Sequence, residues 1–449
     1  MSHPAATSSS PLDAAARLAG HRGRVLLDSA RDDDGLGAWS FVAAEPSATL
    51  IGRGRSLVEL DRHGDPVRRF TGDPFDAIEA FLVAHGCTLG DARVADPEPR
   101  VVGYLGYDLA RVVERLPGGP RLGADVPDLW LAAYDGVARW RAGAHQPQLV
   151  GPDPSRLAAL LAAGPTAPGI APSLGPFVTD DDAAHHMARV ERVRDYLAAG
   201  DVYQVNLARR HVARIAAPGD ALAIYAALAD VAPAPYGALL EADGVTVISG
   251  SPERFLAARA GRLETRPIKG TRPRLPGGDV ELAASEKDAA EHLMIVDLER
   301  NDLGRIAETG SVRVDELGYV VELPALYHKV SRVSAVPRRD LGYAAVLRAV
   351  FPGGSITGAP KVRAMQLIDE LEPARRGPYC GAIGYFGPSG CELALAIRVG
   401  VIAGSELRVH VGGGIVADSD PAAELAETET KLAGWRAALA RLTAARGRT

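Results

Sequence analysis

Lysine is scarce in this chain, and one lysine stands in a setting suited to chemistry. Lysine occurs only at positions 269, 287, 329, 361 and 431, although the chain has 50 lysines and arginines. An arginine stays charged, whereas a desolvated lysine can lose its proton and act as a base or nucleophile. Lys269 lies in the run RPIKGTRPR, where the three arginines lower the pKa of an amine. We therefore interpret Lys269 as a candidate catalytic amine; a solvated surface lysine is the alternative.

Two pairs of carboxylates stand three residues apart, Asp288 with Glu291 and Glu424 with Glu427. Helical residues at this spacing share one face. The second pair follows the run GGGIVADS at 412–419, which we interpret as a glycine turn whose backbone N–H groups can bind an anion. Hard carboxylates beside an anion site indicate Mg²⁺ bridging the protein and a substrate carboxylate. A solvated acidic face is the alternative for either pair.

Short elements must position these side chains. Turn signals and apolar patterns predict strands at 23–27, 100–107, 202–215, 381–386, 393–403 and 407–411. They predict helices at 74–85, 179–200, 283–298, 359–371 and 421–445, with Thr179 and Asp182 as a capping box, Gly200 at a helix end and Asp420-Pro421 at a helix start. The proline-rich stretch 151–176 predicts a linker. Strands joined by short turns indicate an α+β fold with largely antiparallel sheets.

Composition excludes several classes of function. The net charge of −6 and the pI near 6.0 argue against a nucleic-acid-binding protein. Three cysteines, Cys87, Cys380 and Cys391, show no metal-binding spacing and are typical of a reducing compartment. Residues 1–11 predict a disordered tail rather than a signal peptide, and no run of 18 apolar residues occurs. We expect a cytoplasmic protein without membrane association.

Beyond these residues, ordered motifs make the chain resemble the chorismate-utilising enzymes, which comprise anthranilate, aminodeoxychorismate, isochorismate and salicylate synthases. The motifs are GDVYQVNL at 200–207, SPERF at 251–255, EHLMIVDL at 291–298, RNDLGR at 300–305, HKVSR at 328–332 and PGGSITGAPK at 352–361. The resemblance is strong over 179–445. It is weaker in the N-terminal part, through VLLDS at 25–29 and GYLGYD at 103–108.

The resemblance implies two orthogonally packed, largely antiparallel sheets flanked by helices and built jointly from N- and C-terminal segments. It implies an N-terminal segment at 12–150, similar to that of anthranilate synthase component I, and a chorismate-binding catalytic domain at 177–445. It also implies roles for individual side chains: catalysis by Lys269, Glu253 and His328; substrate binding by Thr271, Tyr385, Arg398, Gly412, Gly413, Gly414 and Lys431; and Mg²⁺ binding by Glu291 and Glu427, with Asp288 and Glu424 behind them.

Two positions distinguish among members of the family. Members that add water carry a lysine base where this chain has Gln204, and an amide cannot deprotonate water. Anthranilate synthases carry alanine at the position of Lys269. The chain therefore looks similar to the chorismate-binding component of aminodeoxychorismate synthase, in which Glu253 would act as acid on the C4 hydroxyl of chorismate and Lys269 would attack C2. One departure is Cys391-Glu392, where the family usually has an Asp-Thr pair.

The resemblance also implies partners. No Gly-x-Cys-x-Gly nucleophile motif occurs in the sequence, so ammonia is expected from a separate glutamine amidotransferase. Tryptophan in an N-terminal pocket stays open, as does a product that serves folate or secondary metabolism. The alternatives are an anthranilate-type reaction that eliminates pyruvate and, from another class, a catalytically silent binding subunit. The presence of Lys269, Glu253 and all four acidic residues disfavours the silent subunit.

Overall fold

The computed structural model of the chain describes residues 10–29, 35–90, 96–118, 122–123, 125–164, 169–323 and 326–446. Its α-helices are α1 (Pro11–Arg17), α2 (Pro74–Ala84), α3 (Ala110–Val113), α4 (Ser155–Ala163), α5 (Ala183–Ala198), α6 (Ala221–Val231), α7 (Gly278–Ala284), α8 (Glu286–Gly304), α9 (Tyr343–Val350), α10 (Lys361–Leu371) and α11 (Pro421–Arg446). Short 3₁₀ turns lie at Tyr107–Leu109 and Gly354–Ile356. No helix within these ranges is both long and apolar enough to cross a membrane.

The strands form two large sheets. They are β1 (Val25–Asp28), β2 (Trp39–Ala43), β3 (Ala48–Arg53), β4 (Ser56–Asp61), β5 (Pro66–Thr71), β6 (Val101–Leu105), β7 (Leu129–Ala133), β8 (Val137–Arg141), β9 (Gln148–Val150), β10 (Ser173–Thr179), β11 (Gln204–Ala217), β12 (Tyr236–Ala242), β13 (Val245–Ser251), β14 (Arg254–Arg259), β15 (Arg262–Arg266), β16 (Ile268–Pro273), β17 (Arg313–Glu322), β18 (Leu326–Ala335), β19 (Gly358–Ala359), β20 (Ala382–Gly387), β21 (Gly390–Leu395), β22 (Val399–Ala403) and β23 (Glu406–Ile415).

Each sheet contains strands from both halves of the chain. The first sheet has the order β10-β11-β23-β22-β13-β12-β1-β2-β8-β9, with β19 on β11. The second has the order β16-β18-β15-β14-β21-β20-β6-β7-β3-β4-β5, with β17 on β18. The joins between the halves are β1 with β12 and β6 with β20, and the pairing in both is antiparallel. The predicted α+β class, with largely antiparallel sheets built jointly, is confirmed.

Apolar side chains fill three layers. Phe41 of the first sheet packs with Trp130 and Tyr385 of the second in the core between the sheets. A second core lies between the first sheet and helices α1, α6 and α11, where Trp435 is fully buried. A third, the largest, joins the outer face of the second sheet to helices that include α2, α8 and α9. The sheets are thus covered on their outer faces by helices, as amphipathic elements require.

Some predicted helix ends and connecting segments differ from those in the structure. Asp182 alone caps α5, accepting the N–H of His185, while Thr179 ends β10. Gly200 does follow the helix end, with φ of +80°. The predicted linker at 151–176 contains α4, whose Leu157 is buried. Most of the predicted tail lies outside the described residues, but Ser10 caps α1.

Candidate functional site

A bulge in β16 sets the direction of Lys269. Ile268 pairs with Val330 and Thr271 pairs with His328, so β16 advances three residues where β18 advances two. Such an extra residue bends the strand and re-aims a side chain, typically beside active sites. Gly270 adopts φ of +85°, and a Cβ there would lie 2.9 Å from Cδ1 of Leu282. The glycine after Lys269 is therefore required both by the backbone conformation and by the packing of α7.

Glu253 precedes β14, and its carboxylate is buried. Its Oε1 accepts a hydrogen bond of 2.8 Å from the Ser355 hydroxyl and a long one of 3.5 Å from the Ile268 N–H. Burial raises the pKa of Glu253 to about 7, against the opposing effects of Ser355 and Lys269. A carboxylic acid with such a pKa can hold a proton near neutral pH and deliver it. Ser355 belongs to the motif PGGSITGAPK, but the sequence alone does not indicate its hydrogen bond to Glu253.

Lys269 lies among charges of both signs. Burial lowers the pKa of its amine, and the positive charge of Lys431 lowers it further. The negative charges of Glu253, Glu291 and Glu427 act in the opposite direction. These interactions place the five groups together, and we call Lys269, Glu253, Glu291, Glu427 and Lys431 the lysine cluster. The structure thus brings the predicted nucleophile, the predicted acid and two predicted metal ligands into one site. A lysine with a lowered pKa can present a free amine to a substrate.

His328 and Thr271 sit on paired strands beside this cluster. Thr271 Oγ1 and His328 Nδ1 are hydrogen-bonded at 2.9 Å. Burial, together with the nearby guanidinium of Arg398, lowers the pKa of His328 to about 4, so the ring is neutral at pH 7. Its buried Nε2 has no hydrogen-bond partner in the described part of the chain. Since buried polar atoms are nearly always paired, this nitrogen is available to a ligand.

Arg398 lies where the predicted strand 393–403 breaks. The chain forms β21 and β22 instead, and Arg398 between them has φ of +53°. The prediction of one continuous strand was therefore wrong, because a left-handed residue cannot continue a ladder. Burial lowers the pKa of the guanidinium, and no carboxylate of the described ranges pairs with it. An unneutralised, half-buried arginine fits an anionic group from outside the chain.

The three glycines do not form a turn. Gly412, Gly413 and Gly414 lie within β23 and pair with Ala208, Leu207 and Asn206 of β11, so the predicted anion nest at a strand-to-helix turn was wrong. A Cβ on Gly413 would lie 3.1 Å from Glu424 Oε2 and 3.3 Å from Glu427 Oε1. The glycines instead let the carboxylates of α11 approach the strand closely.

Gln204, next to Gly414, is fully buried. A Cβ on Gly414 would come within 2.6 Å of its Nε2. Neither Oε1 nor Nε2 of Gln204 has a hydrogen-bond partner among the residues that the structure describes. An amide with both polar atoms buried and unpaired is costly unless a ligand or water satisfies it.

The four acidic residues lie on α8 and α11 as predicted, with Asp420 capping α11 through a 2.9 Å bond to the Ala423 N–H. Asp288 forms an ion pair with Arg272 at 2.8 Å, and Glu427 forms one with Lys431 at 2.6 Å. Glu424 accepts a hydrogen bond of 2.6 Å from Ser419 Oγ. Lys431 Nζ also donates to the Gly412 carbonyl at 2.6 Å.

Glu291 forms no hydrogen bond or ion pair with a described residue. Burial raises its pKa, the nearby Asp288 and Asp418 add to this, and Lys269 and Lys287 oppose it. In the described ranges no three His, Cys, Asp or Glu side chains form a ready-made metal cage. Mg²⁺ usually takes one or two carboxylates, with waters and substrate oxygens as its other ligands. A half-buried, unpaired Glu291 and the nearby Glu427 fit that requirement.

Tyr385 lies away from the lysine cluster. Its ring packs edge to face on Phe41 at 5.0 Å and lines a cavity between the sheets. We call this the aromatic cavity; among its lining residues are Asp28, Trp39, Phe41, Tyr236, Arg254, Arg259, Tyr385 and Glu392. This placement does not support the predicted contact between Tyr385 and the substrate at Lys269. Strand periodicity could not show which cavity its side chain enters.

Glu392, part of the departure from the family pattern, is a buried hub. It accepts hydrogen bonds from Arg254 Nε at 2.6 Å, Arg259 Nη2 at 2.9 Å and the Tyr236 hydroxyl at 2.8 Å. The two guanidiniums and the tyrosine lower the pKa of Glu392 despite its burial. Arg254 directly follows Glu253, so the hub fixes the start of β14, where pairing with both neighbouring strands is bulged.

Comparisons with known proteins identify the family of the chain. The family model described as chorismate binding enzyme matches residues 38–436. The chain is 41% identical over 432 residues to the aminodeoxychorismate synthase component 1 of Klebsiella aerogenes, covering 91% of this chain and 92% of that protein. It is 38% identical to an anthranilate synthase component 1 of Haloarcula marismortui, covering 80% of this chain and 79% of the relative.

Among solved structures, that of anthranilate synthase component I from Streptococcus pneumoniae superposes with a TM-score of 0.76 at 28% identity, covering 89% of this chain and 92% of that one. The family match spans most of the chain, and the two relatives match over 92% and 79% of their own length. The chain therefore belongs to the chorismate binding enzyme family.

Proposed function

We propose that the protein converts chorismate and ammonia to 4-amino-4-deoxychorismate through a covalent adduct of Lys269. The observation that supports this most is a lysine of lowered pKa beside Glu253, whose pKa of about 7 suits an acid. The similarity to aminodeoxychorismate synthase components over nine tenths of the chain supports the same reaction. A desolvated amine is a stronger nucleophile than a solvated ammonium because its lone pair is free.

The first step forms the adduct. The free amine of Lys269 forms a bond to C2 of the ring, the diene shifts and the C4–O bond breaks. Glu253 gives its proton to the departing oxygen, which leaves as water. The new secondary ammonium then returns a proton to the Glu253 carboxylate. Burial of Glu253 keeps bulk water away from the proton that it transfers.

The second step releases the enzyme. Ammonia forms a bond to C4, the diene shifts back, and the C2–N bond to Lys269 breaks. Glu253 protonates the leaving lysine amine, and the new C4 ammonium returns one proton to the Glu253 carboxylate, which restores the starting enzyme. The overall change is chorismate plus ammonia to aminodeoxychorismate plus water. Two successive displacements restore the configuration at C4.

Gln204 supports ammonia rather than water as the nucleophile. Ammonia has its own basic lone pair and needs orientation only, whereas water must be deprotonated. The amide of Gln204 cannot accept a proton at neutral pH, but its unpaired Oε1 can accept a hydrogen bond. The geometry therefore favours amination over hydration of the ring.

Mg²⁺ is the cofactor that we propose, held by Glu291 and Glu427, with Asp288 and Glu424 behind them. When bound, the cation would neutralise the ring carboxylate of chorismate. Arg398 would pair with a carboxylate of the substrate, and Lys431 and the unpaired Nε2 of His328 would offer further polar contacts. Thr271 would orient His328 through their hydrogen bond.

A separate glutamine amidotransferase is the proposed ammonia source. Making ammonia from glutamine requires a reactive thiolate. Burial raises the pKa of Cys87, Cys380 and Cys391 to about 12, so all three are inert thiols. The purified chain with glutamine alone should make no product. Ammonium should replace glutamine, and an added cognate amidotransferase should make glutamine effective.

The aromatic cavity is the candidate for the tryptophan pocket that the sequence left open. Its Asp28 carboxylate already accepts hydrogen bonds from Tyr225 at 2.9 Å and Ser40 at 3.0 Å, which leaves ring packing as the main attraction for an aromatic ligand. Calorimetric titration with tryptophan tests this, with Phe41→Ala as the variant that should lose the binding signal. Heat unchanged from buffer in the wild-type protein would remove tryptophan as a ligand.

Mass spectrometry of the product made from chorismate and ammonium decides the reaction. We expect the mass of aminodeoxychorismate with its enolpyruvyl group retained. Fluorescent anthranilate with released pyruvate would establish the anthranilate-type reaction that some relatives catalyse. Unconsumed chorismate would indicate a binding subunit. Growth of a p-aminobenzoate auxotroph carrying this chain tests whether the product supplies folate rather than a secondary metabolite, and fractionation of cells tests the expected cytoplasmic location.

A further inference from the structure

One exposed ion pair joins the two helices that carry the acidic residues. Lys287 Nζ donates to Asp418 Oδ2 at 3.0 Å. Lys287 lies in the first turn of α8, directly before Asp288, and Asp418 lies in the loop between β23 and α11. The pair therefore crosses from the start of one acid-bearing helix to the start of the other.

The surroundings of this pair connect it to the acidic residues. The hydrogen bond to Asp418 raises the pKa of the Lys287 amine, and the negative charges of Glu291 of α8 and Glu424 of α11 add to this effect. The charge of Asp418 in turn raises the pKa of Glu291. The loop of Asp418 is fixed to α11 because the neighbouring Ser419 donates to Glu424 at 2.6 Å and accepts the Val416 N–H at 3.1 Å. Any shift of the loop would move Glu424 with it.

Stability alone does not account for the pair. The side chains of Lys287 and Asp418 are 59% and 67% exposed, and such pairs contribute little to folding. A lysine in the first turn also opposes the helix dipole. The chain nevertheless places one of its five lysines at this position.

We propose that Lys287 and Asp418 form a clasp, a positioning pair that holds Glu291 of α8 opposite Glu424 and Glu427 of α11 so that a divalent cation can bind between the helices. The inference rests on the cation of the proposed function and names the residues that preorganise its site. Neither residue of the clasp touches the cation or the reacting atoms.

A positioning role and simple electrostatics predict opposite changes in cation affinity when Lys287 is replaced. Lys287 carries a positive charge near Glu291 and Glu424, so removing that charge should strengthen the binding of a cation if Coulomb forces alone matter. If the lysine positions the helices, removing it should weaken binding despite the more favourable charge. Removing Asp418 weakens binding in both cases, so the lysine is the decisive position.

The test measures Mn²⁺ binding to the full-length protein from the EPR signal of the free ion, with chorismate present and ammonium absent. We expect Lys287→Gln and Asp418→Asn each to raise the Kd about tenfold, the lower end for residues that orient metal ligands. Lys287→Arg keeps the pair and should bind like the wild type. Arg300→Gln, which breaks another exposed ion pair on α8, between Arg300 and Asp297, is the matched control and should have no effect.

Each outcome is decisive. Unchanged or tighter Mn²⁺ binding in Lys287→Gln overturns the clasp while leaving the proposed reaction intact. An absence of Mn²⁺ binding to the wild-type protein overturns the metal and the clasp together, and product analysis then tests the reaction separately. Equal thermal unfolding of all four variants would show that a measured loss of affinity is not a loss of fold.

Discussion

The lysine cluster and the aromatic cavity both contain charged side chains, but they differ in how many of their polar groups have partners. Around the cavity, Glu392 bonds to two arginines and a tyrosine. Around the cluster, Gln204 and the Nε2 of His328 lack partners in the described ranges, and Glu291 and Arg398 are unpaired there. Unmet polar groups in a folded protein indicate a ligand, whereas a closed network indicates a structural role. The comparison supports placing the proposed reaction in the first region.

Replacing the nucleophile should separate the two regions most strongly. We expect Lys269→Ala to lower ammonia-dependent formation of aminodeoxychorismate by at least ~10²-fold, because the covalent route is lost. Product formation is followed by mass spectrometry at saturating chorismate. Tyr385→Phe is the control, since Tyr385 lines the aromatic cavity. Another lysine such as Lys361 would not serve, because Lys361 donates a hydrogen bond of 2.8 Å to the Pro352 carbonyl. Near wild-type turnover by Lys269→Ala would rule out the nucleophile assignment.

The pH dependence should belong to the cluster alone. Glu253 must hold a proton to act as an acid, and its pKa is about 7. The rate divided by the concentration of free ammonia should therefore fall above about pH 7, by about tenfold per unit at the limit. The Tyr385→Phe variant should show the same fall in normalised rate above about pH 7. A normalised rate that stays flat to pH 9 would show that Glu253 is not the acid.

Metal binding should also be a property of the cluster. Glu427→Gln and Glu291→Gln replace a charged ligand with a near-isostere, so we expect the Mg²⁺ concentration for half-maximal turnover to rise by about tenfold or more. Unchanged Mg²⁺ dependence in both variants would contradict the assignment. Glu392→Gln, which alters a buried carboxylate on the cavity side, should leave the Mg²⁺ dependence unaltered.

The same Glu392→Gln variant should instead lower stability. It leaves Arg254 and Arg259 without their shared carboxylate, and breaking a buried pair costs about 3 kcal/mol or more in the free energy of unfolding. Urea denaturation measures the change. Glu241→Gln, at a carboxylate bonded to the buried Arg24, is a matched variant remote from both regions. A Glu392→Gln protein as stable as the wild type would show that the network does not hold the second sheet together.

The smallest effect is expected from Tyr385→Phe. The tyrosine packs on Phe41 and lines the aromatic cavity, so turnover with ammonium should change by less than about twofold. A loss of turnover comparable to that in Lys269→Ala would restore Tyr385 to the substrate site, as the sequence resemblance implied.

The sequence alone predicts the features that depend on neighbouring residues, such as the helices that carry the acidic residues. The carboxylates three residues apart share helix faces, and both helices exist because caps and apolar periodicity are local signals. The glycines at 412–414 and the break at Arg398 were mispredicted, because glycine suits a turn or a crowded strand equally and only the partner strand decides between them. The grouping of Glu253 with Lys269 came through resemblance, since two separate strands bring these residues together.

The interleaved sheets described above have a consequence for synthesis of the chain. Val25 pairs with Leu240, and Val102 pairs with Tyr385, so neither sheet can close while only the N-terminal third has emerged from the ribosome. Contact order this high slows folding, because loop closure must precede the contacts that reward it. The early strands expose apolar faces and unpaired edges during that interval, and both features favour aggregation of an incomplete chain.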